Sequence, residues 1–211
     1  MRIAVSLFIL VLSFQALCQT EDNISIEADA KYYYYLMDKT ISQHFNYGFS
    51  AIIFRNTNKI GVGIGIDYRT KSFEDNGDSF FEVDKYEYKI EYLDFPFVLN
   101  YEIFSKNNFG FYFTGGFELN KIINYNITTY YLDGDVSDKK GDNGEKIGFS
   151  VFSGVILSKS ISNRVNLKLS PVISYNLVPD HVSQRPNYDA LPDDRLRFIL
   201  SIGGEYIFKK K

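Results

Sequence analysis

The stretch RLRFILSIGGEYIF, residues 195–208, sorts its residues two at a time. Leu196, Phe198, Leu200, Ile202, Gly204, Tyr206 and Phe208 form one set; Arg195, Arg197, Ile199, Ser201, Gly203, Glu205 and Ile207 form the other. Side chains of a strand alternate between faces, so this segment carries one oily face and one charged face. A chain made of such strands can fold in two ways. Either the charged face meets water, as in a soluble sandwich or lipocalin-like barrel, or the oily face meets lipid, as in a membrane barrel.

The alternation recurs along the chain. Even positions from Ile24 to Leu36 are apolar or aromatic, with Glu27, Asp29 and Lys31 between them. Phe45, Tyr47, Phe49, Ala51 and Ile53 form one face of a second strand, and Ile60, Val62, Ile64, Ile66 and Tyr68 one face of a third. In the fourth, Tyr86, Tyr88, Ile90 and Tyr92 share a face, after which the apolar set moves by one to Leu93, Phe95, Phe97, Leu99, Tyr101 and Ile103. Such a slip predicts a β-bulge, which would also accommodate Pro96. Further strands are expected at 109–119, 147–157 and 165–177. With residues 195–208 the count is eight, several of them near the roughly 9–11 residues that a strand needs to cross a bilayer.

Links between these strands alternate in length. RNTNK, FSKNN and KSISN are short, whereas KSFEDNGDSFFEVDK, the stretch around YYLDGDVSDKKGDNGEK, and VPDHVSQRPNYDALPDD are long. Short and long links therefore lie at opposite ends of an up-and-down array, the plan of an eight-stranded antiparallel transmembrane β-barrel with short periplasmic turns. Both termini would be periplasmic and the long loops external.

Composition bears on the choice between water and lipid. The chain has 17 Tyr and 19 Phe but no Trp, and a net charge of -3. With the first strand running outward, Tyr32, Tyr34, Tyr68, Tyr86, Tyr88, Tyr125 and Tyr175 fall near the outer rim, and Tyr101, Phe109, Phe111, Tyr206 and Phe208 near the inner one. Two aromatic belts are what bilayer interfaces select. The other face carries Glu27, Asp29, Lys31, Asp67, Arg69, Glu87, Lys89, Glu118, Lys168, Arg195, Arg197 and Glu205, both signs together, which are expected to pair across a narrow lumen. No basic excess points to nucleic acid.

The first residues, MRIAVSLFILVLSFQALCQTED, show a basic start, an apolar run from Ile3 to Leu12 and a small-x-small site at Ala16-Leu17-Cys18. That is the plan of a secretory signal peptide, residues 1–18, leaving residues 19–211 as the barrel domain. Cys18 is the single cysteine; it is expected to leave with the signal, the competing reading being lipidation. Without it, cysteine metal sites and disulfides are excluded.

Residues 92–103, YLDFPFVLNYEI, followed by NNFGFYFTGGFEL, resemble the central signature of the porin-like outer-membrane β-barrel family abundant in Bacteroidetes, in which a Tyr-Leu-x-hydrophobic-Pro segment leads into a strand and a Gly-containing strand follows. The likeness in plan covers the whole chain after the signal. It implies residence in outer-membrane lipid and insertion by the outer-membrane assembly machinery, with no shared catalytic site. The Lys209–Lys211 tail departs from the family habit of ending on an aromatic, here Phe208.

These residues lead to a non-enzymatic barrel with a narrow or plugged lumen, acting through its external loops or in envelope integrity, with no cofactor and no metal. An eight-stranded barrel is only just filled by its own side chains. One alternative is a rim enzyme of lipid-A hydrolase or protease type, built on the two histidines, His44 and His181, with Ser42, Ser183 or Asp180 as partners. The other is a soluble lipocalin-like ligand carrier. DGDVSDKKGDNG, from Asp133, fails as a calcium loop, because Asp138 stands where Gly is needed and Gly144 where Glu belongs; a solvated loop is expected. Gly61, Gly63 and Gly65 are expected to make room inside the barrel for bulky charged neighbours, and Phe80 and Phe81 to pack within their loop, the alternative being that they anchor a partner or dip into the outer leaflet.

Overall fold

The computed structural model describes residues 23–36, 42–76, 82–140, 147–178 and 195–208. Its strands are β1 (Asn23–Tyr35), β2 (Ser42–Gln43), β3 (Asn46–Thr57), β4 (Ile60–Asn76), β5 (Val83–Lys106), β6 (Phe109–Tyr131), β7 (Val136–Lys140), β8 (Ile147–Ser160), β9 (Val165–Val178) and β10 (Leu196–Phe208). Every pairing among them is antiparallel. The order β1-β3-β4-β5-β6-β8-β9-β10 returns to β1, so eight strands close a ring and leave no free barrel edge. Closure runs from Ile24 opposite Phe208 to Tyr35 opposite Arg197.

Short turns join the strands at one end. Asn107 and Asn108 both take positive φ, 52° and 66°, the backbone of a type I′ hairpin, in which asparagine is among the favoured residues. Asn58 likewise has a positive φ, 50°, between β3 and β4. At the other end β4, β5 and β6 outgrow their neighbours, with 17, 24 and 23 residues against 12 to 14 for β1, β3, β8, β9 and β10. There β2 pairs with β4 and β7 with β6, so a sheet of order β2-β4-β5-β6-β7 stands above one side of the ring. β7 falls within the stretch expected to be a solvated loop; the reach of β6 gives it a partner.

The faces follow the alternation. Ile24, Ile26, Phe49, Ile53, Val62, Ile64, Ile66, Leu99, Leu167, Leu169, Ile173, Leu200 and Ile202 are exposed, forming an apolar outer wall. Tyr32, Tyr34, Tyr47 and Tyr175 ring it toward the long-loop end, and Tyr101, Phe109, Tyr206 and Phe208 toward the short-turn end. Glu27, Asp29, Asp67, Arg69, Glu118, Lys168, Arg197 and Glu205 are buried inside.

β5 corrects one expectation. Between Tyr88 and Asn100 its faces do not slip: Tyr88, Ile90, Tyr92, Asp94, Pro96, Val98 and Asn100 all point inward, and the strand's own irregularities lie near its ends, at Asp84 and Ile103. Tyr86, Tyr88 and Tyr125 therefore do not join the outer belt, and Glu87 and Lys89 lie on the outward face. A bulge does occur at this level, but on the partner strand, since Glu91 faces Asn124 while Tyr92 faces Ile122. The extra residue, Ile123, turns Tyr125 and Ile127 inward. The apparent slip in β5 is a change of lumen content from apolar to polar.

Candidate functional site at the lumen and the long-loop rim

The lumen is filled in layers. At the short-turn end Ser25 Oγ donates to Glu205 Oε1 at 2.6 Å, and Asn166 Nδ2 donates to Glu205 Oε2 at 3.0 Å. Asn56 Nδ2 donates to Ser25 Oγ at 2.9 Å. Above them the Lys168 ammonium sits between Glu27 and Glu205, 3.2 Å from the latter, so one buried cation serves two buried carboxylates. Lys31 pairs with Asp67, whose carboxylate also accepts from Tyr33 OH at 2.9 Å. Arg197 of β10 reaches Glu118 of β6, across the ring. A cavity of about 60 Å³ remains, bordered by Glu27, Asp29, Lys31, Glu118, Ser170 and Ser201. That is space for about four waters, too small for a solute.

Toward the long loops the filling turns aromatic. Arg69 Nε donates to Asp94 Oδ2 at 2.5 Å and its Nη1 to Tyr35 OH at 3.0 Å, while the guanidinium lies 3.6 Å from the centre of the Tyr92 ring. Lys71 lies against the Tyr35 and Phe73 rings. Phe73, Tyr88, Ile90, Tyr92, Ile122, Tyr125 and Ile127 then form a buried cluster, with Phe73 and Tyr88 stacked 4.6 Å apart. Cation–π contacts let the arginine and lysine stems enter this cluster without stranding their charge. Tyr92 escaped the sequence reading because the slip assigned to β5 placed it on the outer face, and Lys71 because it fell in the stretch read as a long link, whereas β4 runs on to Asn76.

The glycines of β4 do make room, though for different neighbours than expected. A Cβ on Gly63 would meet the Phe54 ring at 2.5 Å and Ile52 at 2.9 Å; on Gly61 it would meet Asn56 at 2.5 Å. The space is taken by apolar and amide groups rather than by charges.

On the outward side of the long-loop rim, His44 Nε2 lies 3.2 Å from Glu74 Oε1 and 3.6 Å from Glu87 Oε1. Strand pairing builds this group: Glu74 stands directly opposite Glu87 across β4 and β5, Ser42 stands opposite Glu74, and His44 N donates to Ser72 O at 3.1 Å. Lys85 Nζ donates to Glu74 Oε1 at 3.3 Å, and Tyr130 OH donates to Glu87 Oε2 at 2.8 Å. The hydrogen bond to Glu74 raises the Lys85 ammonium above the usual lysine range, and that to Glu87 raises the Tyr130 hydroxyl above the usual tyrosine range. His44 thus meets two carboxylates. Its expected companions His181, Asp180 and Ser183 lie outside the described residues, as do residues 1–18, Phe80, Phe81, Gly144 and the Lys209–Lys211 tail. In the rejected calcium segment, Asp133 accepts from Asp135 N at 3.0 Å and Asp138 from Thr128 Oγ1 at 2.6 Å, so both carboxylates hold the hairpin together.

An apolar outer wall, two aromatic rings and a charged, closed interior define a membrane-embedded β-barrel. The chain belongs to the outer membrane protein beta-barrel domain family, whose model matches residues 19–178. It is an outer-membrane β-barrel protein. A solved major outer membrane protein from Thermus thermophilus is similar in fold, with 11% identity and a TM-score of 0.56 over 90% of this chain and 100% of that one. Neisserial surface protein A is 15% identical over 88% of this chain and 97% of its own, at a TM-score of 0.46. The N-terminal barrel of Pseudomonas aeruginosa OprF is 12% identical over 87% and 97%, also at 0.46. No curated protein matches the sequence.

Proposed function

We propose that this chain is a non-enzymatic, closed outer-membrane barrel of the porin-like type abundant in Bacteroidetes, and that it works through the sheet and loops raised at its long-loop end. The observation that carries the reading is the lumen: among the described residues, ion pairs, hydrogen-bonded amides and an aromatic cluster fill it in successive layers, and the cavity between Glu27, Lys31 and Glu118 has space for about four waters. A path for solutes would require several of these buried pairs to part together. What remains available to partners is the raised sheet β2-β4-β5-β6-β7 and the loops that join it. The Tyr92-Leu93-Asp94-Phe95-Pro96 segment supports the Bacteroidetes-type assignment.

Residues 1–18 direct secretion and are removed, in keeping with a family match that starts at residue 19. Both termini are periplasmic, because the short turns share their end of the barrel and external loops are the long ones. β10, with its terminal aromatic Phe208, is the segment that the assembly machinery would take up.

Planar-bilayer recording tests the closed lumen. The purified, refolded barrel is expected to leave conductance at the level of the bare membrane. Discrete large steps that follow protein concentration would replace this reading with that of a pore. Antibody access to a tag inserted in the β3–β4 turn of intact cells tests the orientation, the expected result being labelling only after the outer membrane is permeabilised.

A further inference from the structure

The His44, Glu74 and Glu87 group has no part in closing the lumen, and its geometry asks for a cation. Glu74 and Glu87 are directly opposed across β4 and β5, a placement that costs stability for like charges unless something positive lies between them. Zinc bound by nitrogen and carboxylate oxygen at about 2.0–2.2 Å in a tetrahedron needs neighbouring ligand atoms about 3.3–3.5 Å apart. His44 Nε2 is 3.2 Å from Glu74 Oε1 and 3.6 Å from Glu87 Oε1, and the three ligand atoms all lie within 4.8 Å of one another. Both edges from His44 are therefore close to that spacing before any metal arrives.

We propose that His44, Glu74 and Glu87 form a zinc site on the outward side of the long-loop rim, these three being the ligands that the described residues supply. An imidazole with two carboxylates favours a borderline transition metal over calcium or magnesium, which prefer six or more oxygens or keep most of their waters. Tyr130 OH, donating 2.8 Å to Glu87 Oε2, holds that carboxylate so that its other oxygen faces His44, the outer-sphere support that metal ligands usually have. Lys85, 3.3 Å from Glu74 Oε1, is the resident cation that zinc must displace. Since the three ligands come from β4, β5 and the segment between β2 and β3, the ion would tie that short connection to the raised sheet.

Isothermal titration of the untagged barrel, refolded in detergent micelles, with zinc chloride tests the site. Each variant is first checked for the folded, faster-running band on an unheated denaturing gel. One equivalent of zinc is expected to bind with a micromolar dissociation constant. H44A and E74Q are each expected to weaken binding at least tenfold, and Y130F by about tenfold. K85A should tighten it by removing the competing ammonium. Absence of binding, undiminished binding by folded H44A, or calcium and magnesium binding as tightly as zinc would each overturn the proposal. So would a K85A barrel that binds more weakly, because it would make the lysine a supporter of the ion rather than its rival.

Discussion

Lys168 shows what a single residue contributes inside this barrel. Its ammonium is buried between Glu27 and Glu205, and its stem runs beside the Phe54 ring. Taking the lysine away would leave two carboxylates without their counter-ion in a space that water barely enters. Removing one partner of a buried ion pair typically costs about 3–5 kcal/mol. K168M is therefore expected to lower the urea midpoint of the gel-shift unfolding curve strongly, and K168M combined with E27Q and E205Q to recover much of the loss. A single variant as stable as the parent would mean that the carboxylates are neutral and the layer is held by its hydrogen bonds. These charges were legible in the sequence, because Glu27, Lys168 and Glu205 each interrupt an apolar alternation. The rim group was not. His44, Glu74 and Glu87 are far apart along the chain, and only the β4–β5 register, which depends on the intervening connection, sets the two glutamates face to face.

At the scale of elements, the β5–β6 hairpin is where pattern and structure part. Strand periodicity reports which residues share a face, not what that face touches. In β5 the inward face is aromatic from Tyr88 to Tyr92 and mostly polar or small beyond Asp94, so the oily side of the pattern changes although the strand does not. The bulge at Ile123 does the compensating work in β6, bringing Tyr125 and Ile127 to the side of Tyr88 and Ile90. Deleting Ile123 is expected to turn both residues outward and to take two of the seven members out of the buried cluster. The raised hairpin should then be cut by trypsin at Lys85, Lys89 or Lys121 while the ring below still runs as a folded band. Cleavage as slow as in the parent would show that packing, rather than the bulge, selects the face. The eight barrel strands themselves were legible to within a few residues at most ends, since each carries a lipid-facing set that no soluble strand would tolerate on its water side. The extra length of β5 was legible, but that of β4 and β6 was not, because above the lipid both of their faces become mixed in composition.

At the scale of the whole molecule, the ring is sealed by its first and last strands. β1 pairs with β10 along its length, from Ile24 opposite Phe208 to Tyr35 opposite Arg197. That seam joins residues about as far apart in sequence as the barrel permits, and such non-local contacts are slow to form. Until β10 is in place, β1 and β9 each present a bare row of backbone donors and acceptors, an invitation to pair with another chain. Completion is thus a matter of timing as well as geometry. A chain arrested or clipped before Leu196 has nothing to zip shut, however well its other strands have formed. The seam makes success all-or-none, and it places the decision on the strand that is synthesised after all the others.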